Sequence, residues 1–568
     1  MLVRSKLSMT KPPSIEEYAA LQKALDAAQS QRDAVQSDRD AIQCEHDAAQ
    51  AERDSLVGEN RLLRAQRDLL QEKLNKMMRK VFGASSEVLG THQKDMFFNE
   101  AEALAAATKA APTQQDGQDG SGDADDTEVA GHKRAKRGRK PLDPALPRHV
   151  VRHELSGSDR ICAHDGYTLV EIGVEASEQL DIIPQQVRVI RHERVKYACP
   201  CCDKGLRLAG KPAQIIPKGL FSEAALAWIA TSKFDDGLPL YRQAALLGRF
   251  GGTDLSHNTM AASIVRVGAA TQPVINLLRD HLLDSPLVFG DETTVQVLKE
   301  PGRAAQAKSY MWVQMTQGSG PQGRGPPIRL FGYSPSRSTD AAVKMYAGLR
   351  EGAVLMTDGY EVYDKIEKAN RLVHLGCWAH ARRYMVDALQ ALPKNARGPQ
   401  QPAVQFTELI AKLYAVESRA RKLEMDTQQR LHQRQEHSVP VLEAIEALLL
   451  AHLHAVVPGS ALGKALHYFS SQWPKLVRYV KDGRYPIDNN PCENSIRPFV
   501  VGRKSWLFSD TVAGANASAN LYSLVQTCKA NGIDPYRYLS ALFIALPNAT
   551  TVDEYEALLP WRIALQAQ

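Results

Sequence analysis

Three acidic residues, far apart in the chain, offer the most specific chemistry. In Leu287-Val288-Phe289-Gly290-Asp291-Glu292-Thr293-Thr294-Val295-Gln296-Val297 the odd positions are mostly apolar, the alternation of a strand with one buried face. Asp291 shares that face and Glu292 points the other way, so replacing Glu292 is expected to spare the chemistry. A short apolar run, Ala353-Val354-Leu355-Met356-Thr357, ends at Asp358-Gly359-Tyr360. Glu493 stands in Asp488-Asn489-Asn490-Pro491-Cys492-Glu493-Asn494-Ser495-Ile496-Arg497-Pro498. Converged carboxylates repel one another unless cations occupy the site. Mg²⁺ or Mn²⁺ suits such a site, because hard cations take a few carboxylates plus phosphate oxygens. Two ions roughly 3.5–4 Å apart activate an attacking oxygen and stabilise a leaving one, which is the chemistry of phosphoryl transfer.

The elements around these residues must bring them together. Two further strands are expected at 310–316 and 328–333, joined by a glycine-rich turn. Ser338-Thr339-Asp340 caps a helix running through Leu349, and the Ala353 run supplies the next strand. Three strands, a helix and a fourth strand open a ribonuclease-H-like sheet. In that layout the first and fourth strands are neighbours, which sets Asp291 beside Asp358. Asp488 or Asn489 caps a helix opening near Asn490 or Pro491, with Glu493 and Arg497 at i and i+4 on one face. Taken alone, this last stretch also reads as a capped surface helix with an ordinary ion pair. Asn489 and Asn490 are either caps or DNA contacts.

The rest of the chain reads as several modules. Residues 15–82 are helix-forming, and one position is small or apolar every seventh residue: Leu21, Ala28, Val35, Ile42, Ala49, Leu56, Leu63, Leu70 and Met77. That is a coiled-coil seam, and a homo-oligomer, at least a dimer, is expected from it. Its companion position carries Arg32, Arg39, His46, Arg53, Asn60 and Arg67 between Leu25 and Leu74, and the alternative is one long solvated helix. Residues 104–150 form a linker too polar to bury a core, ending in a basic arm with Arg137, Arg139 and Lys140. The arm either enters a DNA minor groove or tethers the chain by touching phosphate.

A cysteine module follows over 151–215. Cys199 and Cys202 form a C-x-x-C knuckle, and Cys162 with His164 or Asp165 completes four ligands for structural Zn²⁺. Between them, residues 186–193 alternate like a strand. Residues 216–284 read as helices, either a helix-turn-helix that binds DNA or helical packing without DNA contact.

Composition narrows the class without deciding it. The chain has 568 residues, enough for several domains, and a formal net charge of +6, which permits a nucleic-acid partner. Eight cysteines are few for this length, and three crowd into one stretch, which favours metal over disulfides. Residues 1–13 hold no signal-peptide core and no apolar run reaches about 18 residues, so no membrane association and a cytoplasmic location are expected.

The order Gly290-Asp291-Glu292-Thr293, Thr357-Asp358-Gly359-Tyr360 and Asn489-Asn490-Pro491-Cys492-Glu493 closely resembles the transposases of the insertion-sequence 66 family. So do Phe82-Gly83-Ala84-Ser85-Ser86-Glu87, Gly138-Arg139-Lys140-Pro141, Pro239-Leu240-Tyr241-Arg242-Gln243 and Cys377-Trp378-Ala379-His380-Ala381-Arg382-Arg383. Many relatives carry a second C-x-x-C where this chain has Cys162-Ala163-His164-Asp165. The resemblance implies a bacterial DDE enzyme with Asp291, Asp358 and Glu493 as its catalytic, metal-binding carboxylates. It implies a ribonuclease-H-like core in two parts, 285–384 and 485–546, split by a helical insertion over 385–484 and followed by a tail, 547–568. Such an enzyme binds the terminal inverted repeats of its element and target DNA, cuts a strand and transfers it. Arg382, Arg383, Arg497, Arg503 and Lys504 are candidate DNA contacts, and His380 either orients the site, touches DNA or is structural. The resemblance also implies small accessory proteins encoded by the same element.

Overall fold

A computed structural model describes residues 14–82, 187–194, 196–197, 207–208, 210, 212–250, 255–318 and 325–565. Arg137, Arg139 and Lys140 of the basic arm lie outside the described residues. So do Cys162, His164, Asp165, Cys199 and Cys202. The strand expected over 186–193 does not form: residues 187–194 carry no ladder and are exposed. The short pairing instead joins Lys196–Tyr197 to Arg207–Leu208. Alternation without a partner strand does not hold an extended segment in place.

Helix α1 (Ile15–Phe82) is one uninterrupted element of 68 residues, roughly 100 Å at about 1.5 Å per residue. No proline and a single glycine, Gly58, fall within it. Gln36 donates to Asp40 and Gln43 to Asp47, each at 2.9 Å, so one turn-to-turn bond repeats a heptad later. The apolar seam itself is uncovered, with Leu21, Val35, Ile42, Leu56, Leu63 and Leu70 all exposed. Near its end, Glu72 accepts a hydrogen bond from the backbone N–H of Ala461 at 2.9 Å.

Four helices come next: α2 (Glu223–Phe234), α3 (Leu240–Arg249), α4 (His257–Ala270) and α5 (Gln272–Leu283). Ser222 and Ser256 begin α2 and α4 by accepting from Ala225 and Asn258 N–H. The sheet is then built from β1 (Leu287–Lys299), β2 (Lys308–Met315) and β3 (Arg329–Ser334). Ser338 caps α6 (Thr339–Tyr346), and β4 (Val354–Met356), α7 (Val362–Asn370) and β5 (Val373–Leu375) follow. Helix α6 stops short of Leu349 because Ala347 is extended and Gly348 turns the chain at φ +92°.

Strand order is β3-β2-β1-β4-β5. β1, β2 and β3 are antiparallel neighbours, whereas β1, β4 and β5 run parallel. The expected adjacency of the first and fourth strands is therefore present. β4 is buried on both faces, as an apolar strand between parallel neighbours must be. The far end of β1 also pairs with β6 (Ser509–Thr511).

Helix α14 (Val512–Ala530) closes the open edge of β3. Ser523 and Thr527, one turn apart, accept from the N–H groups of Phe331 at 2.8 Å and Arg329 at 3.0 Å. Side-chain hydroxyls thus satisfy an edge that is otherwise a template for another strand. Leu226, Ile229, Met260 and Val267 from the first helices share one core with Val288, Leu355, Leu521 and Val525. Leu539 of α15 (Pro535–Ala545) and Leu559 near the end of the described chain join it.

A second core belongs to the helices inserted between β5 and Asp488. These are α8 (Trp378–Ala391), α9 (Pro402–Lys422), α10 (Thr427–Gln433), α11 (Val439–Leu453) and α12 (Ala461–Leu476). Trp378, Phe406, Ile410, Ile445 and Phe469 fill it. Arg434, fully buried in a π-turn, grips Glu417 with two bonds of 2.7 and 2.8 Å. It also donates to the carbonyls of Tyr479, Asp482 and Tyr485, pinning the loop that leads to Asp488. A buried pair of this kind gains little net stability, but breaking it is costly, so it fixes where the loop runs.

Candidate active site

Asp291 lies in the middle of β1, and Asp358 follows the C-terminal end of β4. Leu287 pairs with Val354 and Phe289 with Met356, so Asp291 and Asp358 each lie two residues past the last paired positions of these neighbouring parallel strands. Gly290 is required beside it, because a Cβ there would collide with the hydroxyl of Tyr346. Burial, then Glu292, Asp358 and Glu493, push the Asp291 carboxyl well above the usual carboxylate range. The three candidate carboxylates therefore stand within electrostatic reach of one another.

Glu493 sits in the first turn of α13 (Asn490–Trp506). Just before that turn, Asp488 accepts from the Asn490 N–H at 3.1 Å, and it is itself held by Tyr414 at 2.8 Å. Asn489 is fully buried: its side chain donates to the Gly290 carbonyl at 3.0 Å and its N–H donates to Cys377 Sγ at 3.2 Å. Asn489 is the N-cap residue of α13, its carbonyl accepting from Glu493 N–H at 3.1 Å, and its side chain ties the start of the helix to β1 beside Asp291.

Helix α8 faces Glu493 from the inserted helices. His380 Nδ1 is 3.6 Å from Glu493 Oε1, and Arg383 reaches Glu493 Oε2 at 3.3 Å. His380 Nδ1 and Glu493 Oε1 are buried, each without a hydrogen-bond partner among the described residues. Ligand atoms of Cys377, His380 and Glu493 lie within 4.8 Å of one another. A hard divalent cation fits the neighbouring oxygens, since one carboxyl resists ionisation and another has a bare buried oxygen. Cys377 adds nothing to such a site, because a thiol is a soft ligand. The Cys-x-x-His spacing at 377–380 marked this face in the sequence, but its approach to Glu493 was not read there.

The surroundings of the two aspartates were missed more completely. Glu292 is no bystander: its side chain is 4 % exposed, accepts from Tyr363 Oη at 2.5 Å and pairs with Arg337 at 2.8 Å. The Arg337 guanidinium lies 3.7 Å over the Tyr360 ring. Tyr360 returns its hydroxyl to the Arg337 carbonyl and its N–H to Asp358 Oδ1, both at 2.9 Å. On the other side, Thr357 Oγ1 meets His374 Nε2 at 2.8 Å and donates to the Asp358 carbonyl. His374 is backed by Asp364, Glu367, Lys475 and Arg478, a second cluster of acids already matched by two cations.

The candidate DNA contacts differ in availability. Arg382 is buried, and Arg503 is committed to Thr293 and Thr294 of β1. Arg497 is half-buried on α13, and Lys504 is exposed near its end. Arg383 is 58 % exposed even while it touches Glu493.

The Transposase IS66 family model matches residues 218–517, across β1, β4 and the first turn of α13. The chain belongs to the IS66 transposase family. Three further family models match it: the IS66 C-terminal element over 523–561, the zinc-finger binding domain of transposase IS66 over 159–203, and the Transposase C of IS166 homeodomain over 69–151. The zinc-finger match spans Cys162, His164, Cys199 and Cys202. Similar proteins include two from Sinorhizobium fredii, both named as uncharacterized. Protein y4qI is 34 % identical over 438 residues, 76 % of this chain and 78 % of its own length. Protein y4jD is 32 % identical over 497 residues, 85 % and 92 % respectively. A transposase family with a zinc-finger domain makes DNA the partner of this chain. No helix among its described residues is long and apolar enough to cross a membrane.

Proposed function

We propose that this IS66-family transposase binds the terminal inverted repeats of its element, cleaves a DNA strand and transfers the freed end to target DNA. The observation that supports this reading is that Asp358, just past the end of the strand paired with β1, and Glu493, in the first turn of α13, both act electrostatically on the buried Asp291. Asp291, Asp358 and Glu493 are the catalytic carboxylates of a ribonuclease-H-like core and would hold Mg²⁺ or Mn²⁺. Metal ions bound by these carboxylates would supply activation of the attacking oxygen and stabilisation of the leaving one. Asp358 is held by Tyr360 N–H, and Arg383 and Lys504 offer charge to the phosphates that flank the cut. The first reaction hydrolyses a phosphodiester and frees a 3′-hydroxyl; in the second, that hydroxyl attacks a target phosphodiester and displaces its 3′-oxygen.

The remaining modules serve DNA assembly in this reading. Residues 15–82 pair as a coiled coil, and Arg137, Arg139 and Lys140 contact DNA from the linker. Cys162, Cys199 and Cys202, with His164 or Asp165, hold Zn²⁺. Supercoiled plasmid, transposon-end DNA and Mg²⁺ in one reaction test the whole reading. Nicks or breaks together with joined products are expected. Binding without cleavage would make the chain a regulatory DNA-binding relative, and cleavage without joining would make it a nuclease.

A further inference from the structure

We infer that Tyr384 and Tyr468 form a stacking platform for an unpaired DNA base next to the cleaved phosphate, an inference that rests on the function proposed above. The two rings are stacked across α8 and α12, with centroids 4.4 Å apart and an interplanar angle of 24°. Tyr384 is 41 % exposed, so the outer face of the stack is open to solvent. Tyr468 carries the stack to the catalytic carboxylates: a Cβ on Gly359 would lie 2.5 Å from its Cε2 and 2.9 Å from its hydroxyl. Gly359 directly follows Asp358, so only glycine lets the ring approach this closely. The Tyr468 hydroxyl is buried there without a hydrogen-bond partner among the described residues.

His380, Arg383 and Tyr384 occupy positions i, i+3 and i+4 of α8 and so share one face. Reading along that face, an imidazole and a guanidinium meet Glu493, and the next side chain is an open aromatic ring. Lys464, one turn before Tyr468 on α12, is exposed as well. Cations beside an aromatic face suit a nucleotide, with phosphate on the guanidinium and base on the ring. Stacking of this kind is tolerant of sequence, because every base has a π-face. A base must leave the duplex to reach it, and the stack offsets part of that unpairing.

The test uses the full chain in Ca²⁺ with two synthetic duplexes, one fully paired and one carrying a single unpaired 2-aminopurine. Wild type is expected to quench the unpaired probe. Tyr384→Ala should abolish the quench and weaken binding of that duplex about tenfold, leaving the paired duplex unaffected. Tyr384→Phe keeps a ring and should retain both. An equal loss on both duplexes, or no loss at all, overturns the platform. The plasmid reaction in Mg²⁺ is read alongside: cleavage by wild type without any quench sinks the platform alone. Absence of cleavage sinks the proposed function and, because the inference rests on it, the assignment of the stack to a cut site, even where quenching is seen.

Discussion

Asp291 and Asp358 each follow by two residues the paired positions Phe289 and Met356 of the parallel strands β1 and β4, and Asp358 acts electrostatically on Asp291. The price of this closeness is electrostatic: burial and three neighbouring carboxylates hold the Asp291 carboxyl well above its ordinary range. An acid whose folded pKa is raised opposes folding above that pKa, and the opposition fades as pH falls through it. Asp291→Asn should therefore raise the melting temperature of the metal-free protein at neutral pH, by about 1 °C for each ~1 kcal/mol relieved in a chain of this size. The gain should shrink at acid pH, and strand cleavage should be lost. A melting temperature that falls at neutral pH would contradict the assignment.

Glu493→Gln keeps the size of the side chain and removes its charge. Binding of DNA without metal should persist with a similar salt dependence, since phosphate neutralisation by other segments sets that slope. Strand cleavage and transfer should drop by several orders of magnitude. Isothermal titration of Mn²⁺ gives a second readout and should register weaker binding. Unaltered Mn²⁺ affinity would remove Glu493 from the metal site.

Glu292, Arg337 and Tyr360 reach Asp358 as a chain of contacts, which argues against the expectation that replacing Glu292 spares the chemistry. Glu292→Gln leaves the Arg337 guanidinium against an uncharged amide in a site that is 4 % exposed on the acid side. Cleavage should fall at least about tenfold, with a coupling of about 0.5–3 kcal/mol between Glu292→Gln and Arg337→Gln in a double-mutant cycle. Strictly additive losses would mean that the two residues act separately.

The parts of this site that were legible in the sequence are those written in local pattern. Strand alternation placed Asp291, an apolar run ending in Asp-Gly placed Asp358, and a polar stretch before proline placed Glu493. Partnerships across the chain were not legible. Tyr363 lies 71 residues from Glu292 and Asn489 lies 199 from Gly290, and no periodicity encodes such meetings. β5 escaped notice because it has only three residues, too few to show alternation. The inserted helices hid the approach of His380 and Arg383 to Glu493 in the same way, since two separately packed bodies must first fold.

Asp364 ties the cluster behind Thr357 to acid stability. The His374 imidazole at 3.3 Å, and then the Lys475 ammonium, hold its carboxyl at about 2. A depressed carboxylate contributes stability that is complete above its unfolded value of about 3.9 and is lost as pH falls towards 2. Asp364 is half-buried, its side chain 38 % exposed, so the contribution is discounted to about 1 kcal/mol or less. Urea unfolding of wild type and Asp364→Asn should differ at pH 6 and converge near pH 2. A difference that grows on acidification would refute the linkage.

Helix α1 leaves its seam open along most of its length, with Ile42 at its middle 67 % exposed. A 68-residue helix of this composition does not stay folded on propensity alone, because most helical stability in proteins comes from packing an apolar stripe. Its surface pairs, Arg32–Asp33, His46–Asp47 and Arg67–Asp68, are solvent-exposed and contribute little. Residues 15–82 alone should therefore be helical only where they self-associate. Sedimentation at micromolar concentration is expected to show a dimer or higher assembly, with circular dichroism that weakens on dilution. The polar companion positions Arg32, Arg39, His46, Arg53 and Arg67 should limit that stability, so replacing Arg39 and Arg53 by Leu should shift the dilution midpoint to lower concentration. A fragment that stays monomeric at every concentration, with helicity independent of dilution, would instead make the segment one long solvated helix.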